Sequence, residues 1–81
     1  MKESLKSKKR SILLALLSGQ KLTPFDADDI GKTTEGARLI RFIRKDYPVK
    51  DVRVEGERYH LYWIDEEFLV KEGYLKHNLT I

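Results

Sequence analysis

Basic and hydroxyl side chains recur at helical spacing in the middle of this 81-residue sequence. Positions 34, 38, 41 and 45 are separated by four, three and four residues, so they share one face of a helix. They are occupied by Thr34, Arg38, Arg41 and Lys45. An arginine can donate two hydrogen bonds to the O6 and N7 atoms of guanine, and a threonine at a helix start can bind phosphate together with the backbone amides there. This face predicts a contact with nucleic acid.

The opposite face of the same helix is apolar. Leu39, Ile40 and Ile43 are predicted to face the core, with Phe42 at its edge. Arg44 flanks the basic face. The helix therefore has one side for packing and one side for a partner. The alternative interpretation is an ordinary amphipathic helix whose basic face is solvated.

Positive charge is concentrated in two parts of the chain. The formal net charge is +3. Residues 1–10 carry five basic residues and one acidic residue, and residues 32–47 carry five basic and two acidic residues. Clustered lysine and arginine are the electrostatic footprint of a protein that binds a polyanion.

The other residues that could do chemistry do not form a catalytic or metal-binding pattern. The chain has no cysteine and only two histidines, His60 and His77, which are far apart in the sequence. Asp26, Asp28 and Asp29 are explained as acids near a helix start, where the helix dipole favours them. No glycine-rich phosphate loop is present. We therefore expect no enzyme activity, no metal and no cofactor.

The length of the chain allows one domain with a modest core. Its longest apolar run covers residues 12–17, whereas a membrane-spanning helix needs about 20 apolar residues. The absence of cysteine suits a reducing compartment. We therefore expect a cytoplasmic protein that does not associate with a membrane.

Two helices are predicted before the basic one. The first covers residues 4–18 and ends at Gly19. Its apolar face consists of Leu5, Ile12, Leu13, Leu16 and Leu17. The second covers residues 24–30, because Thr23 can cap it and Pro24 suits its first position. Its buried side is predicted to consist of Phe25, Ala27 and Ile30.

The basic helix is predicted over residues 35–46, with Thr33 or Thr34 as its cap. Two helices joined by a short turn that contains glycine form a helix-turn-helix. In such a motif the second helix enters the major groove of DNA, and its N-terminal residues reach base edges. The small residues Gly36 and Ala37 would allow this helix to approach the second one closely.

A β-hairpin is predicted to follow, with a type II′ turn centred on Gly56 and Glu57. The expected register places Val52–Leu61 and Val54–Tyr59 on one face, and Arg53–His60 and Glu55–Arg58 on the other. Tyr59, Tyr62 and Trp63 are expected to supply core rather than to stack on bases. Because the hairpin tip is net acidic, we expect little contact between it and DNA, with Arg53 and Arg58 as its phosphate candidates.

The last part of the chain is predicted to form an extension of the same domain. Asp65 can cap a short helix over residues 66–72, which Gly73 would end. Residues 74–81 contain enough apolar side chains to pack against something. We therefore divide the chain into a DNA-binding region, residues 1–64, and an extension, residues 65–81, which could form a homodimer.

Several runs of residues resemble the small winged helix-turn-helix proteins of bacteriophages and prophages. The runs are Leu22-Thr23-Pro24-Phe25-Asp26-Ala27, Ile30-Gly31, Ala37-Arg38-Leu39-Ile40 and Ile43-Arg44-Lys45-Asp46-Tyr47-Pro48-Val49. The likeness covers residues 11–64. Asp46 stands where a glycine is usual, and the extension from Asp65 is outside the pattern.

The resemblance implies an α+β fold of three helices and a two-stranded antiparallel wing, here with a short C-terminal helix and tail. It also implies binding of double-stranded DNA in a bacterial cell, as a transcriptional regulator or an excision factor. By analogy with this architecture, the start of the first helix lies near the DNA backbone, which makes Lys8, Lys9 and Arg10 phosphate candidates. The alternative function is a protein-interaction module that binds a host or phage protein.

Overall fold

The computed structural model describes residues 5–75. Its elements are α1 (Leu5–Leu17), α2 (Pro24–Gly31), α3 (Gly36–Arg44), β1 (Val49–Arg53), β2 (His60–Ile64) and α4 (Glu66–Lys71). The predicted α+β class and the order of three helices, a hairpin and a short final helix are confirmed. This arrangement is compatible with a winged helix. No helix within residues 5–75 has the length and apolar character needed to cross a membrane.

One hydrophobic core lies between the helices and the inner side of the hairpin. Its members come from every helix and both strands: Ile12, Ala15, Leu16, Leu17, Leu22, Ala27, Leu39, Ile40, Ile43, Val49, Ile64 and Leu69. The three residues predicted for the core side of α3 are confirmed. The prediction for Phe25 is wrong, because its side chain is 63% exposed and lies against Tyr59.

The beginning of α2 follows directly from its sequence. The Thr23 hydroxyl accepts a hydrogen bond from the Asp26 amide at 3.1 Å, and the Asp26 carboxylate accepts one from the Thr23 amide at 3.0 Å. This reciprocal pair is a capping box, with Pro24 in the first turn of the helix. The predicted cap is therefore confirmed. The helix ends at Gly31, and Lys32 then takes a left-handed conformation with φ of 49°.

The predicted cap of α3 is wrong. The helix begins at Gly36 after Glu35, and neither threonine side chain caps it. The Thr33 hydroxyl instead accepts from the Glu35 amide at 3.1 Å, before the helix starts. The amide of Gly36 donates to Asp28 Oδ1 of α2 at 2.6 Å. The Asp28 carboxylate of α2 therefore accepts the first amide of α3. The sequence had predicted a hydroxyl of Thr33 or Thr34 for this part of the helix.

The strand register is confirmed, but the predicted turn is wrong. Val52 pairs with Leu61 and Arg53 pairs with His60. The strands end there, and the turn is closed by the Glu57 amide, which donates to the Val54 carbonyl at 3.0 Å. Gly56 follows Glu55 as the second central residue of this turn and has φ of +80°. The predicted pairing of Glu55 with Arg58 is therefore not formed.

The inner face of the hairpin is fixed by contacts with the rest of the chain. Successive residues of a strand point to opposite faces, so Val49, Asp51, Tyr62 and Ile64 share one face. Val49 and Ile64 are buried, and Tyr62 packs against the core. The Tyr62 backbone also exchanges two 2.7 Å hydrogen bonds with that of Leu22. The prediction that Tyr62 supplies core is confirmed. It is wrong for Tyr59 and Trp63, which lie on the opposite face.

The C-terminal helix covers Glu66–Lys71, slightly less than predicted. Asp65 precedes it, but its side chain makes no capping hydrogen bond. One carboxylate oxygen instead accepts from the Trp63 indole at 3.2 Å and the other pairs with Lys50. Leu69 attaches the helix to the core. Residues 76–81, which hold most of the predicted tail, and residues 1–4 lie outside the described part of the chain.

Candidate nucleic-acid interface

The predicted basic face of α3 lies on the surface of the molecule. Thr34, Arg38, Arg41 and Lys45 are all exposed, because the opposite side of the helix is anchored in the core. The Arg38 guanidinium donates to Glu35 at 2.9 Å, and its side chain is still 60% exposed. Within residues 5–75, no hydrogen bond or ion pair holds the Arg41 side chain. The structure therefore leaves this guanidinium available to a partner.

Phe42 lies between two of these cations. The Arg38 guanidinium carbon is 5.6 Å from the centre of its ring, and the Lys45 ammonium is 5.3 Å from it. Both distances are within the range of a cation–π attraction. The ring therefore holds two flexible basic side chains over the exposed edge of α3, where Phe42 was predicted to lie.

The N-terminal basic block joins this surface. Lys6 and Lys9 of α1 and Lys45, which directly follows α3, line one open groove together with Leu39 and Phe42. Asp46, at its margin, is an acidic member. The two basic segments that are more than twenty residues apart in sequence thus form one surface. We call it the α1/α3 groove, defined by Lys6, Lys9, Phe42 and Lys45.

Lys6 was missed as a candidate by the sequence analysis. It lies three residues before Lys9 and seven before Leu13, which packs against the core, so its helical spacing could have identified it. Arg10 is exposed and lies with Lys6 and Lys9 along a neighbouring hollow. Lys8 is half-buried and lines neither depression.

Arg44 has a different environment from the other candidates. Its Nε donates to the Val49 carbonyl at 3.1 Å and its Nη2 donates to Asp51 at 2.5 Å. The other oxygen of Asp51 lies 2.6 Å from His60 Nδ1. Arg44 therefore connects α3 to β1 directly and to His60 of β2 through Asp51, and two of its five N–H donors are used within the protein. Its role is to position the hairpin relative to α3.

This contact makes the stability of the hairpin sensitive to acid. The Arg44 guanidinium, and then the His60 imidazole, hold the pKa of the Asp51 carboxyl below its ordinary value. A lowered pKa stabilises the fold above the ordinary value, and the stabilisation is lost as pH falls through the folded-state pKa. We expect unfolding in urea to become easier for the parent as pH falls below about 4, the ordinary pKa of an aspartate, and the Asp51→Asn variant to lose less stability over the same acidification.

The matched control for this measurement is Glu67→Gln, an exposed carboxylate of α4. It retains the Arg44–Asp51 contact and should decline with acid as the parent does. An Asp51→Asn variant with the full acid sensitivity of the parent would show that the contact does not stabilise the hairpin.

The N-terminus of α3 is less open to phosphate than the sequence predicted. A phosphate at a helix start binds free backbone amides, but the Gly36 amide already donates to Asp28. The Thr33 hydroxyl is also engaged, by Glu35. The Thr34 side chain is exposed. Positive charge on this surface therefore lies further along α3, from Arg38 onward.

The hairpin tip offers little positive charge, in keeping with its sequence. Arg53 Nε donates to the Glu57 carbonyl at 2.9 Å and so holds the turn closed. Glu55, Glu57 and Arg58 are exposed. In the described part of the chain the exposed Arg58 lies beside the carboxylates of Glu55 and Glu57, which makes the tip a poor surface for a polyanion.

The comparisons with known proteins add no relative. No family model, no curated protein and no solved structure matches this chain. The function is therefore argued from the residues and the geometry described above.

Proposed function

We propose that this protein is a winged helix-turn-helix protein that binds double-stranded DNA, with α3 in the major groove. The observation that carries the proposal is the meeting of the two basic segments on one surface, around the exposed side of a helix whose other side is fixed in the core. Clustered basic side chains on one face of a compact domain are the electrostatic footprint of a nucleic-acid binder.

The geometry of the neighbouring elements supports this mode of binding. α2 and α3 are joined by a four-residue turn, residues 32–35, and Arg44 ties α3 to β1. A helix with its side chains is of the size that the major groove of B-form DNA admits. Arg38 and Arg41 are then the residues that read base edges, since each can donate two hydrogen bonds to guanine.

The α1/α3 groove has the features of a phosphate contact. Its lysine ammonium groups are compact charges suited to phosphate, and Phe42 offers an apolar surface to the sugar. Contacts of this kind set the position of the protein on the duplex and carry no sequence information. We assign Lys6, Lys9 and Lys45 to the backbone, together with Arg10. A regulatory or excision role follows from the family resemblance alone.

The test is a titration of a mixed-sequence duplex with the protein at several salt concentrations. Fluorescence anisotropy of the duplex reports binding. A protein that contacts several phosphates loses affinity with a log–log slope of about −0.9 per contact. We expect Arg41→Gln to weaken binding of a preferred duplex by about 1–3 kcal/mol, because it removes a base contact.

The matched control is Lys71→Gln, which removes one exposed positive charge from α4. It should bind as the parent does. Equal binding by the parent and Arg41→Gln on every duplex tested, or affinity that does not change with salt, would contradict the proposal.

A further inference from the structure

A carboxylate lies on the side of α3 that is proposed to bind DNA. Glu35 directly precedes the helix, and its Oε1 accepts a hydrogen bond from Arg38 Nη1 at 2.9 Å. The two residues are three positions apart, so they are neighbours on one side of the helix. The Arg38 side chain is 60% exposed and the Glu35 side chain is 37% exposed. The sequence analysis assigned no role to Glu35.

The Glu35 carboxylate is unfavourable for binding a polyanion, because it brings negative charge to a surface that approaches phosphates. Folding gives little reason for it. An exposed ion pair contributes little to stability, and the Glu35 side chain makes no hydrogen bond that caps α3. The Glu35 carbonyl accepts from the Leu39 amide at 2.9 Å, which any side chain at this position would allow. The contact that distinguishes Glu35 is therefore the one with Arg38.

The Arg38 guanidinium is held at two points. Glu35 accepts one N–H of its Nη1, and the Phe42 ring centre lies 5.6 Å from its central carbon. In the described part of the chain no other hydrogen bond engages Arg38, so its Nε and Nη2 hydrogens remain for another acceptor. Two parallel N–H groups on one edge of a guanidinium are what a bidentate contact with guanine requires.

Arg41 shows what an arginine on this surface is like without such a contact. Its side chain has no hydrogen bond or ion pair to any residue in the range 5–75. A flexible arginine loses rotamer freedom when it binds a base, and it can turn instead to a phosphate of any sequence. Arg38 is already restricted before DNA arrives, and the Glu35 carboxylate repels a phosphate that would compete for it. Glu35 therefore favours a base contact at Arg38 over a backbone contact.

We infer that Glu35 is a specificity-determining residue that positions Arg38 to read a guanine. The inference rests on the proposed function, since it requires α3 to lie in the major groove. Glu35 acts through Arg38, whose Nε and Nη2 edge makes the contact with the base. The carboxylate lowers the affinity of the protein for DNA in general and raises its preference for one base pair.

The test selects duplexes from a random-sequence pool with the parent and with Glu35→Gln in parallel. The parent is expected to enrich a site with a guanine that it prefers about tenfold or more over the other bases. Glu35→Gln is expected to reduce this preference to about threefold or less, while its affinity for an unselected duplex rises. An unchanged preference in Glu35→Gln would overturn the inference.

A double-mutant cycle assigns the effect to Arg38. Arg38→Gln is expected to lose the preference for the same guanine, and the addition of Glu35→Gln should then change base preference no further. In an Arg41→Gln background, Glu35→Gln should retain its full effect. A change of base preference caused by Glu35→Gln in the Arg38→Gln background would show that Glu35 reads a base itself, and would overturn the positioning role.

Two further variants separate the position of the carboxylate from its charge. Glu35→Asp retains the charge on a side chain one methylene shorter, which withdraws the carboxylate from Arg38. It should lose the base preference without gaining affinity for an unselected duplex. The matched control Glu67→Gln removes an exposed carboxylate from α4 and should keep the preference of the parent. Equal losses of preference in Glu67→Gln and Glu35→Gln would assign the effect to net charge and overturn the inference.

Failure of this inference is distinguishable from failure of the proposed function. A parent and a Glu35→Gln variant that enrich the same sequence equally well would overturn the role of Glu35 and leave duplex binding intact. A parent that enriches no sequence would overturn both. Urea denaturation shows that each variant is folded, and we expect Glu35→Gln to unfold close to the parent because the ion pair with Arg38 is exposed.

Discussion

Replacing Gly36 with alanine is expected to lower the free energy of unfolding by about 2 kcal/mol or more. The added Cβ would lie 2.5 Å from Asp28 Oδ1 and 2.7 Å from both the Ala27 Cβ and the Asp28 backbone nitrogen. α2 must therefore move away from α3, and the hydrogen bond from the Gly36 amide to Asp28 is lost with it. The loss exceeds the gain of about 1 kcal/mol that alanine brings to a helix.

Urea denaturation followed by circular dichroism measures this change. Arg41→Ala, an exposed substitution on the same helix, is the control and should change stability by less than about 0.5 kcal/mol. A Gly36→Ala variant as stable as the parent would show that the close approach of α2 and α3 is not needed. Because that approach fixes the position of α3 against α2, the same variant should also bind duplex DNA more weakly.

Neutralising the α1/α3 groove is expected to have the largest effect on binding. The variant Lys6→Gln with Lys9→Gln and Lys45→Gln removes three proposed phosphate contacts, so its salt slope should fall by about 2.7 and its affinity at low salt by about a hundredfold or more. The loss should be the same for every duplex sequence, because phosphate contacts do not read bases. Anisotropy titrations on two unrelated duplexes measure both quantities.

Net charge alone must be separated from the position of the charge. The control variant replaces Lys21, Lys50 and Lys71 with glutamine and so carries the same net charge. These lysines lie before α2, on β1 and on α4, and none of them lines the α1/α3 groove. We expect this control to change affinity far less than the groove variant. Equal losses in the two variants would mean that duplex binding follows overall charge and has no defined surface.

Local sequence signals predicted most of the elements. The core side of α3 was predicted from Leu39, Ile40 and Ile43, because their spacing puts them on one face of a helix and the charged residues on the other. The Thr23-Pro24 pair with Asp26 predicted the start of α2, because all of the capping partners are within four residues. The strand register was also predicted, since Val52–Leu61 and Arg53–His60 are chemically matched pairs.

The incorrect predictions depend on contacts between elements that are distant in the sequence. The cap of α3 comes from Asp28 on another helix, so a local threonine was chosen instead. Both hairpin faces looked acceptable from the sequence. The face that turns toward the core is determined by the contact of Arg44 with Asp51 and by the pairing of Leu22 with Tyr62. The participation of Lys6 likewise depends on how α1 crosses the end of α3.

The interpretation of the basic face changes in one respect. The sequence placed Arg44 at the flank of the basic face as a further DNA candidate, but its guanidinium is bound to Val49 and Asp51. Arg44→Gln should therefore affect stability together with binding, whereas Arg41→Gln should affect binding alone. The exposed arginines are the better reporters of DNA contact.

The most direct test of duplex binding through α3 is to map backbone amide chemical shifts by NMR as a duplex is added. The account predicts that the largest changes fall on residues 33–45 and on the first two turns of α1. Amides of α4, which lines no part of the α1/α3 groove, should change little. Changes concentrated on α4, or no change at saturating duplex, would contradict the account.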